Sequence, residues 1–338
     1  MRTQPTIGAA AGLVRLVRLM GSMVALVVAS APAGAEDWPS RPLTMVVPFS
    51  AGSGSDIAGR IMSVRLSEVL GQQVIVENVG GAGGMTGAYR VARAAPDGYQ
   101  FVLGTAGTHA VNQTLYTNPL YDASADFTPV ALIAEQPAVL IARTDLPAEH
   151  LADFIAYARA HQVQMQFGSP GAGSVPHLAC VLLNAAAGIS VTHVPYRGAI
   201  PAIQDLIAGR LDYQCVSLSA ALPQIESKMV KAIAIFSRGR SPSLPDLAST
   251  REQGQTDLEA STWYAIFMPK GTPASICQKL NDAIAVAMDT PAVRERFKQM
   301  GVDPVSPQRR SPEYLQKFVE SEIVKWAGPI KAAGVGGQ

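Results

Sequence analysis

Three segments of this chain share one local design: a short apolar run, a loop rich in glycine and serine, then the opening of a helix-spaced segment. They are Pro48-Phe-Ser-Ala-Gly-Ser-Gly-Ser-Asp56, Phe167-Gly-Ser-Pro-Gly-Ala-Gly-Ser174 and His193-Val-Pro-Tyr-Arg-Gly198. The design constrains the fold because it recurs within a wider alternation. Apolar runs at 43–48, 73–76, 99–104, 164–167, 190–194, 211–217 and 230–236 read as strands, and most are separated by residues at helical spacing. Gly71 and Gly188 stand as helix stops, and Pro96-Asp97-Gly98 has the chemistry of a tight turn. Strands alternating with helices predict an α/β fold with mixed, mostly parallel sheets. The apolar stretch at 130–142 is expected to be broken by Glu135-Gln136-Pro137. After a further strand at 262–268, three helices are expected to open at Thr272-Pro273, Thr290-Pro291 and Ser311-Pro312. Each would have the hydroxyl as cap and proline in the first turn. No repeat of fixed period is present.

The three loops define a kind of site. In open α/β sheets ligands sit beyond the carboxyl ends of the strands. The first N–H groups of a helix lack intrahelical partners, and the helix dipole favours negative charge there. Glycine lets the backbone come close to a ligand, and Ser50, Ser53, Ser55, Ser169 and Ser174 add hydroxyls. Such a site suits a small anion held by neutral donors. The plain alternative is that each loop is an ordinary connection, with Ser53 and Ser55 as helix caps. Asp56 favours the dipole but would repel an anion unless it turns away or meets a ligand amine. Arg197 is the one cation within the three loops, free to pair with a carboxylate or to stand in solvent.

Other chemistries find no foothold. The 338 residues carry 27 basic and 26 acidic side chains, without the basic stripe of a nucleic-acid binder. Gly168-x4-Gly173 is followed by Ser174 where a phosphate-binding loop requires lysine, and no G-x-S-x-G or H-E-x-x-H stretch occurs. The five histidines show no metal spacing, and His177 is read plainly as bonding its own loop. No metal, cofactor or catalytic residue is assigned. The plain reading of Cys180, Cys215 and Cys277 is three buried free thiols. One disulfide plus one free thiol is the alternative, and the sequence does not assign the pair.

Residues 1–35 read as a secretory signal peptide: Arg2, Arg15 and Arg18, a short apolar stretch, and Ala33-Gly34-Ala35 at the cleavage point. Removing those 35 residues and three arginines from 338 leaves 303, and moves the formal charge from +1 to −2. No later apolar run reaches the length of a membrane span, so the mature chain is expected to be soluble.

Taken in order, the motifs resemble those of the periplasmic solute receptors of tripartite tricarboxylate transporters, the Bug family. They run from Trp38-Pro-Ser-Arg-Pro42 and Val47-Pro48-Phe49 through Val76-Glu-Asn78, Pro96-Asp-Gly-Tyr99, Tyr121-Asp122 and Asp126-Phe127. They continue through Gly168-Ser169, Gly173-Ser174, His177-Leu178, His193-Val-Pro-Tyr-Arg-Gly198, Gly209-Arg-Leu-Asp212, Trp263 and Pro269-Lys-Gly-Thr-Pro273. The resemblance implies a two-lobed Venus-flytrap fold of the type II periplasmic-binding-protein kind. The lobes would comprise 36–137 with 262–338, and 138–261, joined near 135–139 and 260–265. It implies a monomer that binds a small mono- or dicarboxylate without catalysis and delivers it to a membrane permease. The ligand-binding residues it implies are Phe49, Ser50, Gly52, Ser53, Gly54, Ser55, Asp56 and Thr105 from one lobe. From the other come Ser169, Gly173, Ser174, His177, Tyr196, Arg197, Gly198 and Ser217. The chain departs from the family in its first loop, with Gly-Ser-Gly-Ser-Asp where Gly-Gly-Gly-Thr-Asp is common. The rival roles are a ligand-sensing co-receptor for a membrane kinase and a periplasmic enzyme on the same scaffold.

Overall fold

The computed structural model describes Met1 and residues 38–332, so the expected signal segment, Met1 apart, lies outside the described residues. The chain divides into two compact units, Met1–Ser40 and Arg41–Gln338. The architecture below is that of the second.

Its strands are β1 (Leu43–Val47), β2 (Val74–Asn78), β3 (Gln100–Thr105), β4 (Phe127–Ala142), β5 (Gln166–Ser169), β6 (Thr192–Pro195), β7 (Tyr213–Ser217), β8 (Lys231–Ile235), β9 (Ser261–Pro269) and β10 (Asp303–Pro304). Its helices are α1 (Gly54–Leu70), α2 (Met85–Ala92), α3 (Asn112–Leu115), α4 (Leu151–His161), α5 (Val175–Ala187), α6 (Ala199–Ile207), α7 (Leu218–Glu226), α8 (Ala274–Asp289), α9 (Pro291–Gln299) and α10 (Pro312–Ala332). The strands follow the order β2-β1-β3-β9-β4-β7-β5-β6, with β8 and β10 paired to β4. Among the described residues four pairings are parallel and five antiparallel. The sheet is therefore mixed, with parallel flanks and an antiparallel centre. The alternation of strands and helices anticipates the flanks. It misses the centre because every antiparallel pairing involves β4 or β9, the two long connecting strands.

β4 corrects the expected break. It is one strand of 16 residues through Glu135-Gln136-Pro137. Residues 127–137 pair with β9, and residues 138–142 pair with β7 and β8. Proline lacks a ladder donor, but Pro137 sits where β4 changes neighbours. The next N–H, that of Ala138, donates to Ala260 O at 2.9 Å. The two half-sheets thus share a single strand, and each is covered by its own helices. The second has a core built from Val139, Ile141, Ile203, Leu206, Leu211 and Val216, all nearly inaccessible.

The capping expectations hold at one helix in three. The Tyr314 N–H donates to Ser311 Oγ at 3.1 Å. Thr272 and Thr290 instead donate their hydroxyls to the preceding carbonyls of Pro269 and Ala287, so neither side chain caps its helix, although Thr290 holds the N-cap position and Pro291 opens α9 as expected. The thiol expectation is also corrected. Cys180 on α5 and Cys215 on β7 form a disulfide, with Cα atoms 5.6 Å apart, and Cys277 is the buried free thiol.

Candidate functional site

The first loop turns at Gly52, which adopts φ +77°. It then caps α1 through Ser53, whose Oγ accepts the Asp56 N–H at 3.3 Å. Ser174 does the same for α5, accepting the His177 N–H at 3.3 Å while donating to Gly171 O at 2.8 Å. Both serines are therefore caps as well as loop hydroxyls, and both are nearly fully buried. Gly198 and Ser217 are the N-cap positions of α6 and α7.

These starts converge. A cavity of about 30 Å³ between the half-sheets is lined by Ser53, Gly54 and Ser55 of α1, Ser174, Val175 and Pro176 of α5, Ala199 of α6, and Ser217 before α7. Phe49, Thr105, Pro170, Thr262 and Tyr264 complete the wall, and no lining side chain is charged. The N–H groups of Gly54, Ser55, Val175 and Ala199 belong to first turns, which have no intrahelical acceptor. Four helix dipoles present their positive ends to one small space. Such an arrangement stabilises negative charge without a cation. It offers no nucleophile paired with a base.

The floor joins the two halves. The Tyr264 hydroxyl donates to Gln136 Oε1 at 2.6 Å, and the Ser219 hydroxyl donates to the same oxygen at 3.2 Å. Gln136 is fully buried where β4 changes neighbours, and its Nε2 donates to Met300 O at 3.3 Å. Gly54 has no room for a side chain, because a Cβ would meet Tyr264 Oη at 2.7 Å and Gln136 Oε1 at 2.9 Å.

Of the residues the sequence points to, Phe49, Ser53, Gly54, Ser55, Thr105, Ser174 and Ser217 line the cavity. Asp56 does not. Its carboxylate accepts from Gly52 N–H at 2.8 Å, Asn78 Nδ2 at 2.9 Å and Arg60 Nε at 3.0 Å. It is 3% exposed and pins the first loop to α1 and β2, with its charge answered by Arg60. Ser169 and His177 lie behind the second loop. Ser169 Oγ meets His193 Nε2 at 2.7 Å and accepts from Gly171 N–H, while Gly173 N–H points to His177 Nδ1 at 3.4 Å. Burial, aided by the neighbouring His193, pushes His177 down to about 3, and burial pushes His193 down to about 4. Both rings are therefore neutral at pH 7, so this brace adds no cation beside the cavity. His177 does bond its own loop, as read plainly from the sequence.

Ser50, Gly52, Gly173 and Gly198 lie where the two halves meet rather than on the cavity wall. Tyr196 and Arg197 line a separate opening of about 510 Å³ with residues 80–83 and 170–172. The Tyr196 hydroxyl donates to Asp205 at 2.7 Å, and burial with this carboxylate raises it to about 12. Sequence reasoning missed Tyr264, Thr262, Pro170, Val175, Pro176 and Ala199. The one usable signal was Tyr264, a phenol within an apolar strand that must find a polar partner. Among the described residues no group of three His, Cys, Asp or Glu side chains is placed to hold a metal ion, and no helix is long and apolar enough to cross a membrane.

The chain has well-matched relatives. The family model described as tripartite tricarboxylate transporter family receptor matches residues 58–335. A protein of the ttuE-ttuC' intergenic region of Agrobacterium vitis is 40% identical over 299 residues, covering 88% of this chain and 86% of its own. The malate-bound MatC of Rhodopseudomonas palustris is 37% identical with a TM-score of 0.84, over 87% of this chain and 100% of that one. Rpa4515 of R. palustris, with adipate, is 35% identical with a TM-score of 0.86, over 89% and 100%. These solved structures share the α/β periplasmic-binding-protein fold of this one, and the chain belongs to the tripartite tricarboxylate transporter receptor family.

Proposed function

We propose that this protein is a periplasmic receptor that captures a small organic mono- or dicarboxylate between two lobes and delivers it to a tripartite tricarboxylate-type permease. The observation that carries the reading is the convergence of four helix starts on one uncharged cavity. Each start contributes about 0.3–2 kcal/mol to holding a carboxylate, with the upper part of that range reached in a water-excluded space. Serine and threonine hydroxyls supply the remaining donors. The solved structures of relatives with malate and with adipate support the ligand class.

The lobes exchange at Pro137/Ala138 and Ala260/Ser261, where the strand pairing changes partners. A single chain supplies both walls of the site, so a monomer suffices for binding. The cavity holds no more than about two or three waters, so an organic acid enters with the lobes apart and is enclosed as they meet. A neutral donor set favours one or two carboxylates over three.

A thermal-shift screen of mono-, di- and tricarboxylates tests this. A bound acid at one hundred times its Kd raises stability by about 2.7 kcal/mol, while its uncharged amide gives no shift. Equal shifts with acid and amide, or none with any acid, would contradict the reading.

A further inference from the structure

Glycines recur along the boundary between the two halves. A Cβ placed on Gly83 would lie 2.1 Å from Ala172 O, and one on Gly198 only 1.7 Å from Ser50 Oγ. A Cβ on Gly52 would meet Ile200 Cγ1 at 2.9 Å, one on Gly107 would meet Gly173 O at 3.1 Å, and one on Gly80 would meet Arg197 O at 3.2 Å. In every pair one partner belongs to the half built on β1 and the other to the half built on β5. The contacts surround the cavity: Ser50, Gly52, Gly198 and Ile200 flank the α1 and α6 starts, while Gly107 and Gly173 flank Thr105 and Ser174. Ser50 Oγ is buried without a hydrogen-bond partner. It packs there against the bare Cα of Gly198 rather than serving the cavity.

We infer that this glycine seam is the closing contact of the receptor, and that Gly80, Gly83, Gly107 and Gly198 position the two sets of helix starts at ligand-binding distance. The inference rests on the proposed lobe closure. At Gly80, Gly83 and Gly107, backbone meeting backbone lets the lobes approach more closely than side chains allow. A Cβ at Gly83 would hold them roughly 1 Å further apart to restore ordinary contact. A displacement of that size takes N–H to carboxylate contacts made from both lobes out of hydrogen-bond range. Close approach at these glycines also excludes water, which strengthens every N–H to carboxylate contact inside. The seam explains why Ser50, Gly52, Gly173 and Gly198 sit in the motif loops without lining the cavity.

The test needs substitutions that leave each lobe sound. Gly83 has φ +60°, a left-handed conformation that asparagine tolerates, and its nearest neighbours all lie across the seam. Gly80 has no such constraint, and the atom nearest its Cβ is Arg197 O across the seam, while Ser50 N and Phe49 C of its own half lie at ordinary contact distance. The variants are therefore Gly83→Asn and Gly80→Leu, with Gly239→Ala as control, since nothing lies within 4 Å of a Cβ there. Spin labels at Val64→Cys and Val163→Cys, 65% and 86% exposed on opposite halves, report the distance between lobes by pulsed dipolar spectroscopy. The samples are ligand-free or saturated with malate or adipate.

The expected result is a wild-type population at the separation of this structure, kept in Gly239→Ala and lost in Gly83→Asn and Gly80→Leu. Any acid that binds should bind at least 10-fold more weakly to the two seam variants, with ligand-free melting unchanged. Two results would overturn the inference: seam variants that retain the short distance, or a wild type that never shows it. A short-distance population that no acid alters would leave the seam standing and count against the carboxylate reading instead.

Discussion

Asp56 shows most clearly what one residue does here. From sequence it is a candidate ligand contact at a helix start. In the fold its carboxylate accepts from Gly52, Asn78 and Arg60 and faces away from the cavity. Asp56→Ala leaves three donors without their acceptor in a largely buried place. It should lower stability by about 2–3 kcal/mol in chemical denaturation, and weaken binding through a loosened loop. Lost binding with unchanged stability would return Asp56 to the ligand. The loop itself was legible in sequence, because glycine, serine and a helix start have local physical meanings. The direction of its carboxylate was not, because Asn78 and Arg60 reach it from β2 and from one turn along α1. Tyr264 was illegible for the same reason, since its role depends on Gln136 far along the chain.

At the scale of elements, most strands and helices follow from apolar runs and glycine stops. The exceptions have definite causes. β4 runs through Pro137 because tertiary pairing changes partners at that point. α7 carries Pro223 inside it, which masks its helical pattern. The loop before α5 rests on His177 and His193, whose rings lie 4.3 Å apart, and this brace has a consequence in acid. His177 sits near 6.5 when unfolded and about 3 when folded. Between those values the unfolded chain binds more protons, so stability is complete above about pH 6.5 and falls as the pH drops towards 3. The slope approaches about 1.4 kcal/mol per pH unit for this one ring. Denaturation at pH 7, 6 and 5 should show a steeper loss in the wild type than in His177→Gln. Parallel profiles would remove His177 from the brace.

For the whole molecule, the sequence carried the fold class and the family through many weak motifs in one order. It could not separate residues that line the cavity from residues that bring its walls together, since both kinds occupy the same glycine loops. That distinction exists only when two halves meet. Low charge in the chain now has a local counterpart in a cavity wall without a charged side chain. The central claim is that a carboxylate is held there by helix starts from both halves. A crystal structure with a bound dicarboxylate, malate or adipate, tests it most directly. The account predicts a carboxylate within hydrogen-bond reach of N–H groups among Gly54 and Ser55 on one side and Val175 and Ala199 on the other. A ligand held mainly by charged side chains, or seated outside the space between the half-sheets, would contradict it.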